Sequence, residues 1–181
     1  MAPPTLLVLG YSEAAMLLGQ SNTPEVTAII SIHGRNEYPL DVSGIRHRLV
    51  LHFDDADVID MSDPQRALGP WARQRWSAQQ GRPLTPPQIE DARAIIEFAR
   101  VVAGLDGVVL CQCQGGVSRS SAAALLCLAT WSEEGQEQAC LEQVLRIRPC
   151  AAPHPDLIRF GDQLLNRSGK LIGALNKRFE K

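Results

Sequence analysis

The chain has 181 residues, 45% of them hydrophobic and 21% charged, with a formal net charge of −2. This suits one globular domain with a substantial core and excludes a disordered or fibrous chain. The charge balance argues against a nucleic-acid binder, and no apolar run approaches the ~20 residues a membrane-spanning helix needs.

The chain opens Met-Ala-Pro-Pro-Thr without a basic leader, so a cytoplasmic protein is expected. Residues 5–9 (TLLVL) are a short apolar run that predicts a buried strand, ended by Gly10. Ser12 is a candidate cap for a short helix through Leu18. Residues 26–32 (VTAIISI) predict a second strand, stopped by His33-Gly34, and Pro39 and Gly44 punctuate the polar loop that follows. Residues 48–53 (RLVLHF) predict a third strand, ending in an acidic loop that holds Asp54, Asp55 and Asp57. Residues 63–82 read as an irregular insertion or a short helix, and Trp71, Arg73, Arg75 and Trp76 are candidates to line the mouth of a site.

Thr85-Pro86-Pro87-Gln88 reads as a helix start, with Thr85 as cap and Gln88 closing a capping box. Ile89, Ala92, Ile96, Ala99 and Val102 continue it as a helical stripe. Residues 107–111 (GVVLC) predict a fourth buried strand. Residues 120–131 (SSAAALLCLATW) are small and apolar all round, which predicts a buried helix. A further helix is expected over 136–146 and a last one over 156–165, with Pro149, Pro153 and Pro155 between them.

Strands alternating with helices predict a single α/β domain over residues 1–181, with a central, mostly parallel sheet of about four or five strands flanked by helices. Ligands of such sheets bind beyond the carboxyl ends of the strands, where the acidic loop and the loop after residue 111 both lie.

Five cysteines, Cys111, Cys113, Cys127, Cys140 and Cys150, match no disulfide scaffold and are expected as free thiols. Cys111 and Cys113 form C-x-C, not a zinc knuckle, and the four histidines are scattered, so no metal or cofactor is expected. Cys111, Cys127 and Cys140 read as core residues. His33 and His154 read as loop residues, and Arg146 and Arg148 as a surface pair near a helix end.

The segment richest in chemistry is Cys113-Gln114-Gly115-Gly116-Val117-Ser118-Arg119-Ser120, set between a predicted strand and a predicted helix. A glycine-containing loop that enters a helix aims backbone N–H groups inward and forms an anion cradle at the positive helix end. A cysteine at its mouth is favoured as the nucleophilic thiolate, and Arg119 offers a planar fork for two phosphate oxygens.

This segment resembles the C-x5-R-S/T signature of the cysteine-based protein tyrosine and dual-specificity phosphatases, through Cys113, Gly116, Arg119 and Ser120. Arg148-Pro149, Pro153-His154-Pro155 and Gln163-Leu164-Leu165 look like that family's closing helices, and residues 169–175 resemble a bacterial branch of it. The resemblance spans residues 50–175. It departs at Gln112, where the family usually carries histidine, which implies lower activity or an upward-shifted pH optimum.

The resemblance implies a metal-independent phosphoric monoester hydrolase working through a cysteinyl-phosphate. Cys113 is the nucleophile. Gln114, Gly115, Gly116, Val117, Ser118 and Arg119 bind phosphate, and Ser120 eases departure of the sulfur. The general acid is one of Asp54, Asp55 and Asp57, with Asp55 preferred for its Phe-x-Asp spacing from Phe53. The resemblance implies phosphotyrosine protein as substrate, with phosphoserine and phosphothreonine as further candidates, and the uncharged loop favours a phosphoprotein or a small phosphate ester. The alternatives are a catalytically weak phosphate-binding pseudophosphatase that acts as an interaction module, and a sulfur-transfer or arsenate-reducing enzyme.

Overall fold

The computed structural model describes residues 3–20, 25–56 and 84–179. The predicted insertion at 63–82, with Trp71, Arg73, Arg75 and Trp76, and the candidate acid Asp57 lie outside the described residues.

The elements run β1 (Thr5–Gly10), α1 (Tyr11–Leu18), β2 (Val26–His33), β3 (His47–His52), α2 (Ile89–Val102), β4 (Val108–Cys113), α3 (Arg119–Trp131), α4 (Glu137–Ile147), α5 (Pro155–Leu164) and α6 (Lys170–Phe179). The four strands form one sheet in the order β1-β4-β2-β3, and every pairing is parallel. The α/β class and parallel sheet read from the sequence are therefore the observed ones.

The strand with no polar alternation, β4, is central and buried along its whole length, as expected of a parallel strand covered on both faces. Successive side chains point to opposite faces. Val109, Cys111 and Cys113 enter the larger core with α2, α3 and α5. Leu110 enters a smaller core beside Ala14 of α1 and Ile29 of β2. Gln112 shares the Leu110 face, where it accepts a hydrogen bond from Ser31 Oγ at 2.8 Å.

The all-apolar reading of α3 holds: every residue from Arg119 to Ala129 is buried. Its close fit against α5 depends on Gly161, where an added Cβ would collide with the Leu126 side chain.

Two local expectations differ from the structure. Thr85 does not cap α2. Its amide donates to Asp54 Oδ2 at 2.8 Å and its carbonyl accepts from the Asp54 amide at 2.7 Å, so a tertiary partner takes the residue that local pattern assigns to the helix. The cap is Gln88, whose amide donates to Asp91 Oδ2 at 2.7 Å. In the same way α1 is capped at Gly10, with Glu13 bonding back to its amide at 2.8 Å, and not at Ser12.

The tail, to which the sequence reading assigns no element, forms α6. Asp162 accepts from the Gly169 and Leu171 amides at 2.7 and 2.8 Å and so anchors the helix start. Leu171, Ala174 and Leu175 are its buried stripe.

Candidate functional site

Cys113 is the last residue of β4, not the first of a loop, and Arg119 is the first residue of α3. The turn from Gln114 to Ser118 therefore hangs between a buried strand end and a buried helix N-terminus. Cys113 Sγ lies 3.1 Å from Ser120 Oγ, the second residue of the helix.

The carbonyls of that turn all bond outward. Gln114 O accepts from the Tyr11 amide at 3.1 Å, Val117 O from the Ala152 amide at 2.8 Å, and Ser118 O from the His154 amide at 3.3 Å. Arg148 serves the two between: its Nε donates to Gly116 O at 3.1 Å and its Nη2 to Gly115 O at 3.4 Å. In a planar trans peptide the next residue's N–H points opposite to the carbonyl. Pinning the carbonyls of 114–118 outward thus turns the amides of 115–119 inward, which makes the concave row of donors that an anion fits.

Gly116 is required at the tightest point. Its φ is +66°, and an added Cβ would meet the backbone of Leu9 (carbonyl carbon at 2.7 Å) and the Gly10 amide nitrogen. No L side chain fits between the turn and the end of β1.

Arg119 is held from the other side. Nη1 donates to Glu37 Oε2 at 2.8 Å and to Phe53 O at 3.1 Å, and Nη2 donates to Glu37 Oε1 at 2.7 Å. Glu37 thus occupies the end-on edge of the guanidinium. The side-on edge carries the Nε–H and the second Nη2–H. Nε is buried and makes no hydrogen bond among the described residues. Burial works against the Arg119 charge, but hydrogen bonding and attraction to Glu37 outweigh it, and its pKa sits above the ordinary value. Glu37 is itself fixed by the Gly34 amide, which donates to Oε2 at 2.7 Å.

The acidic loop after β3 approaches the turn as the chain order suggests. Asp54 is buried, and its carboxylate serves the Thr85 amide. The Asp55 carboxylate reaches the turn: Oδ1 accepts from Ser118 Oγ at 2.7 Å, and the side chain is 46% exposed.

Sequence reasoning missed Glu37 altogether and did not foresee the partners of two other residues, Arg148 at the end of α4 and the loop residue His154. Arg148 is no free surface cation: besides bonding the turn it pairs with Glu13 Oε1 at 2.8 Å, and this pairing holds its pKa above the ordinary value and that of Glu13 below. His154 is buried at 2% exposure, with Nε2 3.1 Å from Ala56 O. Gln112 points away from Cys113, into the opposite face of the sheet. Cys111 is buried, and its hydrogen bond to Cys127, with burial, raises its pKa well above the ordinary value. The five cysteines are free, and no group of three or more His, Cys, Asp or Glu is arranged to hold a metal among the described residues. No helix among the described residues is long and apolar enough to cross a membrane.

No protein-family model and no curated protein matches the sequence. Solved structures do match. Tk-PTP in its active form superimposes over 92% of this chain and 94% of its own, with a TM-score of 0.51 and 16% identity. PTPMT1 superimposes over 92% and 95%, with a TM-score of 0.50 and 18% identity. The chain thus has the fold of the cysteine-dependent tyrosine and dual-specificity phosphatases.

Proposed function

We propose that the protein is a metal-independent phosphoric monoester hydrolase that works through a cysteinyl-phosphate. The observation that carries this reading is the turn after β4, whose outward-bonded carbonyls direct a row of amides, with the side-on edge of Arg119, around Cys113.

A phosphate dianion in this cradle would accept the inward amides and two N–H groups of Arg119, and its charge would be offset at the α3 N-terminus. The Cys113 thiolate attacks phosphorus in line, forming the S–P bond as the P–O bond to the leaving group breaks. Asp55, in its acid form, gives the departing oxygen its proton. Water then attacks the cysteinyl-phosphate, Asp55 takes a proton from that water, and the S–P bond breaks to release inorganic phosphate. Ser120 Oγ, 3.1 Å from the sulfur, can donate to it as it departs. The amides and Arg119 stabilise the equatorial oxygens throughout.

The substrate is a phosphorylated protein, phosphotyrosine first, or a small phosphate ester. Gln114, Gly115, Val117 and Ser118 bring no cation to the rim, which disfavours esters carrying several phosphates.

The test is hydrolysis of para-nitrophenyl phosphate across pH in the presence of chelator. Wild type should turn over and Cys113→Ser should not, while Asp55→Ala should lose the basic-side limb of the pH profile. If wild type shows no turnover at any pH while tungstate still protects Cys113 from alkylation, the hydrolase reading falls, and a phosphate-binding interaction module stands in its place.

A further inference from the structure

We infer that His154 is the positioning residue that fixes the acid loop, and Asp55 with it, over the phosphate-binding turn; the inference rests on the hydrolase reading above. His154 stands at the start of α5, and its backbone belongs to the turn: its amide donates to Ser118 O at 3.3 Å. Its ring reaches the other way. Nε2 lies 3.1 Å from Ala56 O and 3.8 Å from Asp55 Oδ1. A carbonyl only accepts, so Nε2 carries the hydrogen and donates it to Ala56. One residue thus joins the two loops whose relative placement the chemistry requires.

The acid loop is held on each side of Asp55. Upstream, Asp54 exchanges backbone and side-chain hydrogen bonds with Thr85. Downstream, Ala56 donates to Asp54 O at 2.9 Å and accepts from His154. Asp55 projects between these anchors, half-exposed, against Ser118. The His154 ring is otherwise poorly served, since its Nδ1 is buried without a hydrogen bond among the described residues. A buried imidazole with one idle nitrogen is an expensive way to fill a core, where an apolar ring would pack without loss. The donor at Nε2 is what distinguishes histidine here.

An acid acts only within hydrogen-bond reach of the oxygen it protonates, and a small displacement lowers the rate steeply. Loosening Ala56 should therefore harm reactions that need the proton and spare those that do not. The experiment compares phenyl phosphate, a poor leaving group, with para-nitrophenyl phosphate, a good one. His154→Phe fills the space without a donor, and His154→Gln keeps an N–H at similar reach. The expected result is that His154→Phe loses at least tenfold more kcat on phenyl phosphate than on para-nitrophenyl phosphate. His154→Gln should retain the wild-type ratio, and His154→Phe should add nothing to that ratio in an Asp55→Asn background. Equal losses on the two esters, in a variant that melts like wild type, would mean a packing role only and overturn the inference.

Hydrogen exchange supplies a readout free of turnover: the amides of Asp55 and Ala56 should exchange faster in His154→Phe and not in His154→Gln. If wild type hydrolyses neither ester, the hydrolase reading falls, and exchange alone decides whether His154 fixes the loop. Faster exchange then upholds the anchor, and unchanged exchange overturns it.

Discussion

Glu37→Gln tests the geometry of the site most directly, because Glu37 touches only the edge of Arg119 that the anion is not expected to use. The replacement keeps shape and one acceptor. It removes the counter-charge of a guanidinium that is 3% exposed and turns one of the two carboxylate bonds, of 2.7 and 2.8 Å, into a facing N–H pair. Breaking a fully buried pair costs about 3–5 kcal/mol. Glu37 is 25% exposed, so water relieves part of that, and about 2–3 kcal/mol is expected, close to one charged hydrogen bond. For a chain of this length that lowers Tm by roughly 4–12 °C. The freed guanidinium must then be ordered when substrate binds. One side chain's rotamer entropy is at most about 2 kcal/mol, so kcat/KM on para-nitrophenyl phosphate should fall roughly ten- to thirtyfold. Thermal melts and steady-state kinetics read the two quantities separately. An unchanged Tm would refute the buried pair. A rise in kcat/KM would show that Glu37 competes with substrate for the same edge, and the division of Arg119 into a held edge and a binding edge would be wrong.

Gly116→Ala should abolish tungstate binding and turnover and lower stability by about 2–4 kcal/mol, from a left-handed backbone plus a collision with the end of β1; normal binding by a folded variant, measured by calorimetry, would contradict the tight turn. Arg148→Met should lower kcat/KM at least tenfold while Glu13→Gln costs less than threefold, because only Arg148 touches the turn and its pair with Glu13 is exposed enough to contribute about 0.5–1 kcal/mol; a double-mutant cycle checks both. His33 is held below its ordinary pKa of 6.5 by burial, despite a hydrogen bond to Gly34 O, so the unfolded chain binds its proton at higher pH than the folded one. Stability should fall as pH drops through 6.5, and His33→Gln should flatten that part of a Tm-versus-pH curve.

What the sequence made legible is what it encodes locally. Residues 108–131 carry strand, turn and buried helix in one stretch, so Cys113, Arg119 and Ser120 could be placed by spacing, as could the sheet's parallel character. Residues that complete the site arrive from afar: Glu37 is 82 positions from Arg119, Arg148 is 32 from Gly116, and His154 is 98 from Ala56. A lone Glu in a polar loop, or an Arg before a Pro, has no periodicity to reveal it. Thr85 shows the opposite failure. Its pattern was a good cap, but Asp54, 31 positions away, took its amide. Tertiary hydrogen bonds overrode a local preference worth only about 1 kcal/mol.

The shape of the turn from Gln114 to Ser118 is itself a tertiary property. Gly115 and Gly116 permit the conformation but do not select it, since glycine is the residue with the most alternatives to lose. Selection comes from the segment after α4, where Arg148, Ala152 and His154 between them bond the carbonyls of Gly115, Gly116, Val117 and Ser118 in order. Pro149, Pro153 and Pro155 lie in and beside that segment. Proline has few backbone conformations even when unfolded, so fixing this strap, which turns at Pro149–Cys150 where the Ala151 amide donates to Arg148 O at 2.9 Å, costs little entropy. A flexible turn is thus cast against a stiff one. The same strap ends in the His154 ring, whose Nε2 lies 3.1 Å from Ala56 O, so the relative placement of the turn after Cys113 and the loop that carries Asp55 depends on one short stretch of chain.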